Sequence, residues 1–257
     1  MLHGLAGLAL LLGGCAREDA APRRTVTVFA AASLTDALGA VADSFETAQP
    51  AYRVVLNVAA TSLLARQIEQ GAPADVFFSA NPAWMRRVEA AGRVAPPVLE
   101  PLANRLVVAA PAGAPPLDGL AALAQQERIA LADPDHVPAG LYAREGLVCA
   151  ELWEAVRPRI VPTLDVRAAL LAVRSGAAGL AVVYASDVAA DPSVQVVLRW
   201  PEACHPEIRY AVARLRDAPA PEGASAFVAF ATDPARAALW SRYGFAWIGP
   251  GAAPSAE

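Results

Sequence analysis

The sequence predicts an α/β fold of two lobes, each a sheet covered by helices on both faces. Three observations carry this. Short β-branched runs alternate with helical patterns along the chain, which points to mostly parallel sheets. The hydrophobic fraction is 56%, above the ~45–50% of ordinary globular domains, so a sizeable core, or two, can form. Pro-rich segments, Pro111 to Pro116 and Trp200 to Pro206, flank a middle block. They suit the two crossovers needed when one lobe is inserted between the halves of another.

The elements follow in order. Thr25 to Phe29 reads as a strand, followed by an amphipathic helix from Leu34 to about Thr47. Tyr52 to Val58 is a second strand, followed by a helix from Ser62 to Gln70. Asp75 to Phe78 is a third, followed by a helix from Pro82 to Ala91. Leu106 to Ala110 is a fourth strand, and Arg128 to Leu131, Ile160-Val161 and Leu180 to Val183 are later ones, each of these three followed by a helical stretch. The expected division places 25–106 and 212–248 in the first lobe and 107–211 in the second. The Gly/Ala/Pro-rich tail, 249–257, is expected to be disordered.

The N-terminus reads as an address. Gly4 to Gly14 are apolar or small, too few to span a bilayer, which takes roughly 20 residues, but suited to a signal-peptide core. Leu12-Gly13-Gly14-Cys15 resembles a bacterial lipobox. On that reading 1–14 is a lipoprotein-type signal peptide, Cys15 carries the lipid, and 15–24 is a polar tether. Cys149 and Cys204 then remain, in an oxidising compartment where a disulfide is permitted.

Charge and motifs exclude several functions. The net charge is −4 and all 21 basic residues are Arg. Without a lysine there is no Schiff-base enzyme and no P-loop. The acidic balance argues against nucleic acid. None of the nucleophile-elbow, zincin or dinucleotide motifs is present, and no catalytic residue is expected. Asp133, Asp135 and His136 crowd one proline-containing loop, a poor geometry for a metal site. His205, in the second crossover, is expected to be solvated.

What does emerge is a set of helix starts. Ser33, with Asp36 three residues on, looks like an N-cap with a capping-box variant. Thr61-Ser62, Pro138-Ala139 and Asp165-Val166 open three more helices. In parallel α/β sheets such junctions fall at the carboxyl edge, where ligands bind. The first N–H groups of a helix lack intrahelical partners and carry about half a positive charge. Several such ends converging on one point would hold an anion without any Lys or Arg. Taken singly, each is equally the cap that any helix needs.

Six blocks, in order, resemble the bacterial molybdate-binding proteins of ABC transporters. They are Thr27 to Thr35, Leu64 to Ala80, Asp133 to Gly140, Asp165 to Leu170, Val183 to Asp187 and Arg242 to Phe245. The resemblance implies a type II periplasmic-binding-protein fold with a ligand cleft between two doubly wound α/β lobes. It implies an oxyanion site made by Ser33, Thr61, Ala139, Val166 and Tyr184, with Ser62 as a possible assisting group. Thr61 departs from the family's serine but keeps a hydroxyl. All but Tyr184 lie at the helix starts already noted, and Arg167 is read as lying behind the site or facing solvent.

The resemblance further implies no cofactor and no enzyme activity. Molybdenum enters only as the bound molybdate ion, with tungstate as a second ligand. The implied partner is a permease in the inner membrane, met by a lipid-anchored monomer on the extracytoplasmic side. Molybdate offers only acceptors, so a donor-only site suffices. Sulfate has the same charge and must be rejected by cavity size, and another tetrahedral oxyanion is the alternative ligand. A serine hydrolase using Ser33 is a distant alternative, opposed by the lack of a nearby His. A regulator's effector domain is opposed by the missing helix-turn-helix.

Overall fold

The computed structural model describes residues 22–251. The signal segment, Cys15 and most of the tether lie outside the described residues. Among the described residues, eleven strands and nine α-helices follow in chain order. In the first lobe come β1 (Arg24–Ala31), α1 (Thr35–Ala48), β2 (Tyr52–Ala59), α2 (Thr61–Glu69), β3 (Val76–Ser79), α3 (Pro82–Ala90) and β4 (Val94–Asn104). The second lobe holds β5 (Leu106–Pro111), β6 (Ile129–Ala132), α4 (Pro138–Cys149), α5 (Trp153–Val156), β7 (Ile160–Thr163), α6 (Val166–Arg174), β8 (Leu180–Tyr184), α7 (Ala185–Ala189) and β9 (Val194–Arg199). The chain then returns to the first lobe with β10 (Ile208–Leu215), α8 (Pro221–Ala231), α9 (Ala237–Arg242) and β11 (Ala246–Trp247).

Two sheets result, ordered β11-β4-β10-β3-β1-β2 and β7-β6-β8-β5-β9. Strand β1 shows why the first is wound on both faces. Val26 and Val28 point into one cluster with Leu38, Val41 and Phe45 of α1 and Phe227 of α8. Phe29 points the other way, onto Leu64 and Ile68 of α2 and Met85 and Val88 of α3. A strand apolar on consecutive residues is what a sheet buried on both sides requires.

Several expectations change, three of them in the topology. The sheets are mixed, not mostly parallel: β1 pairs in parallel with β2 and β3, and β6 with β7 and β8, but β10 runs antiparallel to β3 and β4, and β5 to β8 and β9. A strand entering a lobe through a crossover need not follow a helix, so the right-handed β-α-β rule does not set its direction. The first crossover is at Asn104-Arg105 rather than at the prolines, because Leu106 already pairs with Tyr184 in the second sheet; Pro111 only ends β5. The return is complete at Ile208, ahead of the expected Val212, because Ile208 already pairs with Asn104.

The tail, expected to be disordered from Gly249, runs beside β4 as far as Gly251, whose carbonyl accepts the Glu100 N–H at 3.1 Å. Cys149 and Cys204 are bonded, tying the end of α4 to the second crossover. His205 is half-buried rather than solvated, its ring 6.0 Å from that of Tyr142, because this bond holds the crossover against α4. Among the described residues no helix is long and apolar enough to cross a membrane.

Candidate functional site

The carboxyl ends of five parallel-paired strands deliver the expected residues. After β1 the chain enters a 3-10 turn, Ala32–Leu34, that buries Ser33. Helix α1 begins only at Thr35, with Leu34 before it, so Ser33 is not the expected N-cap and its Oγ bonds Tyr210 Oη instead. After β2, Thr61 and Ser62 are the first two residues of α2 and both are buried. Their amides, at the start of a helix, have no intrahelical acceptor. After β6, Pro138 opens α4; it has no N–H, so the first free donor of that helix is Ala139. After β7, Asp165 caps α6 by accepting the Ala168 N–H at 2.9 Å, which leaves the Val166 amide unpaired within the helix.

Tyr184 ends β8 and is itself the residue before α7. It was not expected at a helix start, because five residues are too few to show a helical period. Its amide donates to Asp187 Oδ2 at 3.0 Å. Its hydroxyl is buried without a hydrogen-bond partner, and burial pushes the phenol well above its ordinary pKa. The Ser62 hydroxyl is likewise buried and unpartnered.

Ser33, Thr61, Ala139, Val166 and Tyr184 all line one small cavity between the lobes, of about 20 Å³. The rest of its wall is alanine, valine and proline, with Asp165 engaged in its own cap. Among the described residues no Arg or His lines it. A cavity of that size admits a few heavy atoms, since a single water needs about 10–15 Å³ on the same measure. A wider groove of about 700 Å³ lies beside the two crossovers, lined by Asn104, Arg105, Arg199 and Glu207 among others. None of the five residues reaches it, and the chemistry favours the smaller cavity.

The lobes are bonded to each other around this cavity. Asn81 Nδ2 donates to Tyr142 Oη at 3.0 Å, and Trp84 Nε1 to the His136 carbonyl at 3.1 Å. Arg167, beside Val166, turns away from the cavity. It pairs with Asp36 of the first lobe at 2.6 Å and with the fully buried Asp187 at 2.9 Å. Burial pushes the Asp187 carboxyl up to about 6, against the opposing pull of Arg167 and the Tyr184 amide. Asp133 and His136 lie 3.3 Å apart at the surface, and no metal-binding group of three or more His, Cys, Asp or Glu occurs among the described residues.

Two α/β lobes joined by two crossovers, with a small cavity between them, form the type II periplasmic-binding-protein fold. The chain belongs to the bacterial extracellular solute-binding protein family, whose profile matches residues 26–246. It is 37% identical over 258 residues to the molybdate-binding protein ModA of Escherichia coli, covering 93% of this chain and 95% of that protein. It is also 37% identical over 212 residues to the ModA protein of Haemophilus influenzae, covering 79% and 83%. The solved periplasmic molybdate-binding protein of Azotobacter vinelandii shares the fold, with a TM-score of 0.77 at 22% identity over 86% of this chain and 98% of that one.

Residue pattern alone did not reach Tyr210, Asn104 or the Arg167–Asp187 pair. Tyr210 bonds Ser33 at 2.8 Å from 177 residues away. Nothing local to Tyr210 in β10 or Asn104 in β4 signalled the meeting, since both strands carry other polar residues such as Arg209 and Glu100.

Proposed function

We propose that the chain is an extracytoplasmic receptor that captures molybdate, takes tungstate as well, and delivers it to the permease of an ABC transporter. Cys15 serves as the lipid anchor on this reading, the working form is a monomer, and the lobes divide at Asn104-Arg105 and before Ile208. The observation that carries the ligand assignment is the small cavity lined from both lobes by hydroxyls and helix-start amides, with no cation.

Molybdate at neutral pH is a dianion with acceptors only, and this site answers it with donors. We assign these to the Ser33, Thr61 and Tyr184 hydroxyls and the amides of Thr61, Ala139 and Val166, with Ser62 assisting. Hydrogen bonds to a charged partner are worth about 1.5–3 kcal/mol each. Roughly six, less the cost of ordering and closure, suffice for a scavenging receptor.

Thermal unfolding tests the assignment. A ligand present at about 1,000 times its Kd adds roughly 4 kcal/mol, which for a chain of this size raises the melting temperature by roughly 10 °C. Molybdate and tungstate are expected to produce such a shift, and equimolar sulfate and phosphate are not. Equal shifts with sulfate would make this a general oxyanion receptor. Ser33→Ala removes one charged-ligand donor, so calorimetry is expected to show molybdate affinity down about tenfold to a hundredfold. Unchanged affinity would take Ser33 out of the site.

A further inference from the structure

We propose that Asn104 and Tyr210 are positioning residues that fix Ser33 as a hydrogen-bond donor toward the ligand, and so set the preference for oxyanions that carry no proton; this rests on the oxyanion reading above. The direction of each bond follows from the neighbours. The Asn104 side-chain oxygen accepts the Arg105 N–H at 2.9 Å, which sets the orientation of the amide. Its Nδ2 then donates one hydrogen to Ser186 Oγ at 2.8 Å and the other to Tyr210 Oη at 3.2 Å.

Tyr210 is fully buried, and burial holds its phenol protonated. A phenol has one proton. Its oxygen receives Asn104, and the acceptor it reaches is Ser33 Oγ at 2.8 Å. Ser33 therefore accepts from Tyr210, and its own proton is left for the cavity it lines. Thr61 is set in the same sense, because its Oγ1 accepts the Ala80 N–H at 3.2 Å. Ser186 belongs to α7, so the relay also joins the Ser33 side of the cleft to the helix that follows Tyr184.

The consequence is selectivity. Hydrogen phosphate has the same charge as molybdate but one oxygen that must donate. At Ser33 it would meet a donor, and a buried donor facing a donor is strongly disfavoured. Without the Tyr210 hydroxyl, Ser33 is free to turn and accept. With a carboxylate in place of the Asn104 amide, the Tyr210 proton is drawn to that carboxylate. Ser33 must then donate backwards and present its lone pairs to the ligand.

The test is calorimetric titration of the wild type, Tyr210→Phe and Asn104→Asp with molybdate and with inorganic phosphate. At about pH 8 the phosphate is mainly the hydrogen phosphate dianion. The two ions carry equal charge, so the carboxylate of Asn104→Asp cancels in the affinity ratio. A purely structural role would weaken both ions alike. The molybdate-to-phosphate ratio is expected to fall about threefold to tenfold in Tyr210→Phe and more than tenfold in Asn104→Asp.

Circular dichroism establishes that each variant is folded; Asn104→Asp is isosteric and decides the matter if Tyr210→Phe does not fold. Ratios unchanged within about twofold, in folded variants of a wild type that binds molybdate, overturn the relay alone. A wild type that binds no molybdate overturns the oxyanion reading and the relay with it.

Discussion

Gly140→Ala is expected to cost most of the molybdate affinity and to lower the melting temperature. Gly140 is the third residue of α4, one past the Ala139 amide that we assign to the ligand. The N-terminus of α4 sits tight against the end of β6. A Cβ at position 140 would collide with the carbonyls of Ala132 and Asp133, which are backbone atoms and have nowhere to go. The helix start must therefore back away. Overpacking of this kind costs about 1–3 kcal/mol, or roughly 3–10 °C for a chain of this length.

Displacing the Ala139 donor weakens binding by about tenfold to a hundredfold in calorimetry. Gly39→Ala is the control. Gly39 lies within α1 with open space where the Cβ would go, so that variant keeps its affinity and is if anything more stable. Equal affinity in Gly140→Ala and the wild type would mean that the α4 start does not touch the ligand.

Arg167→Ala is expected to destabilise the protein strongly near pH 7.5 and much less near pH 5. Its guanidinium is the ion partner of Asp187, which is fully buried, and it also reaches Asp36 on the other lobe. Removing one member of a buried pair leaves an uncompensated charge, at a cost of about 3 kcal/mol, the low end of the usual range because Arg167 is partly exposed. The pH dependence follows from the Asp187 carboxyl, which burial raises to about 6 against Arg167 and the Tyr184 amide, while Asp165 and Asp36 push it further up.

A folded carboxyl raised above its unfolded value binds its proton more tightly in the native state. Its contribution to stability is therefore greatest in acid and falls as pH climbs through the ordinary carboxylate range toward about 6. Without Arg167 the folded value rises further, so the penalty at pH 7.5 grows while protonation at pH 5 relieves it. Adding Asp187→Asn to Arg167→Ala is expected to recover part of the loss at pH 7.5, because the amide oxygen still accepts the Tyr184 N–H without charge. Thermal melts of the wild type, Arg167→Ala, Asp187→Asn and the double variant at the two pH values decide this. A loss independent of pH and not rescued would remove the buried charge as its cause.

What could be read from the sequence was what is local. Each parallel unit, such as β2 with α2 or β7 with α6, is a β-branched run followed within a few residues by an amphipathic stretch, so its parts announce one another, although Asp165 caps α6 while α2 has no side-chain cap. The helix-start residues Ser33, Thr61, Ala139 and Val166 were legible for that reason. Of the antiparallel strands β5 was legible as the run Leu106 to Ala110, but β4, β9 and β10 were not. Strand β4 carries Pro96, Pro97 and Pro101, a residue type depleted in strands. They are tolerated because the β4–β10 register shifts between the pairs of Leu99 and Ala95, where Pro96 and Pro97 lie and donate nothing to the ladder. The Tyr210–Ser33 bond and the Arg167–Asp36 pair join residues 177 and 131 apart, and no periodicity signals such a meeting.

The bond between Cys149 and Cys204 has a consequence for the chain before it folds. Its partners are 55 residues apart, and closing a loop of that length removes about 4 kcal/mol of conformational entropy from the unfolded ensemble on the chain-entropy account. The closed ring contains α6 and α7, with Val166 and Tyr184, and begins at Cys149, the last residue of the helix whose first free amide is that of Ala139. Every donor we assign to the ligand from the second lobe, Ala139, Val166 and Tyr184, thus lies within that ring or on the helix that enters it. Searching for the arrangement of those three groups is shortened covalently in one lobe, while the first lobe must place Ser33 and Thr61 by burial and hydrogen bonding alone.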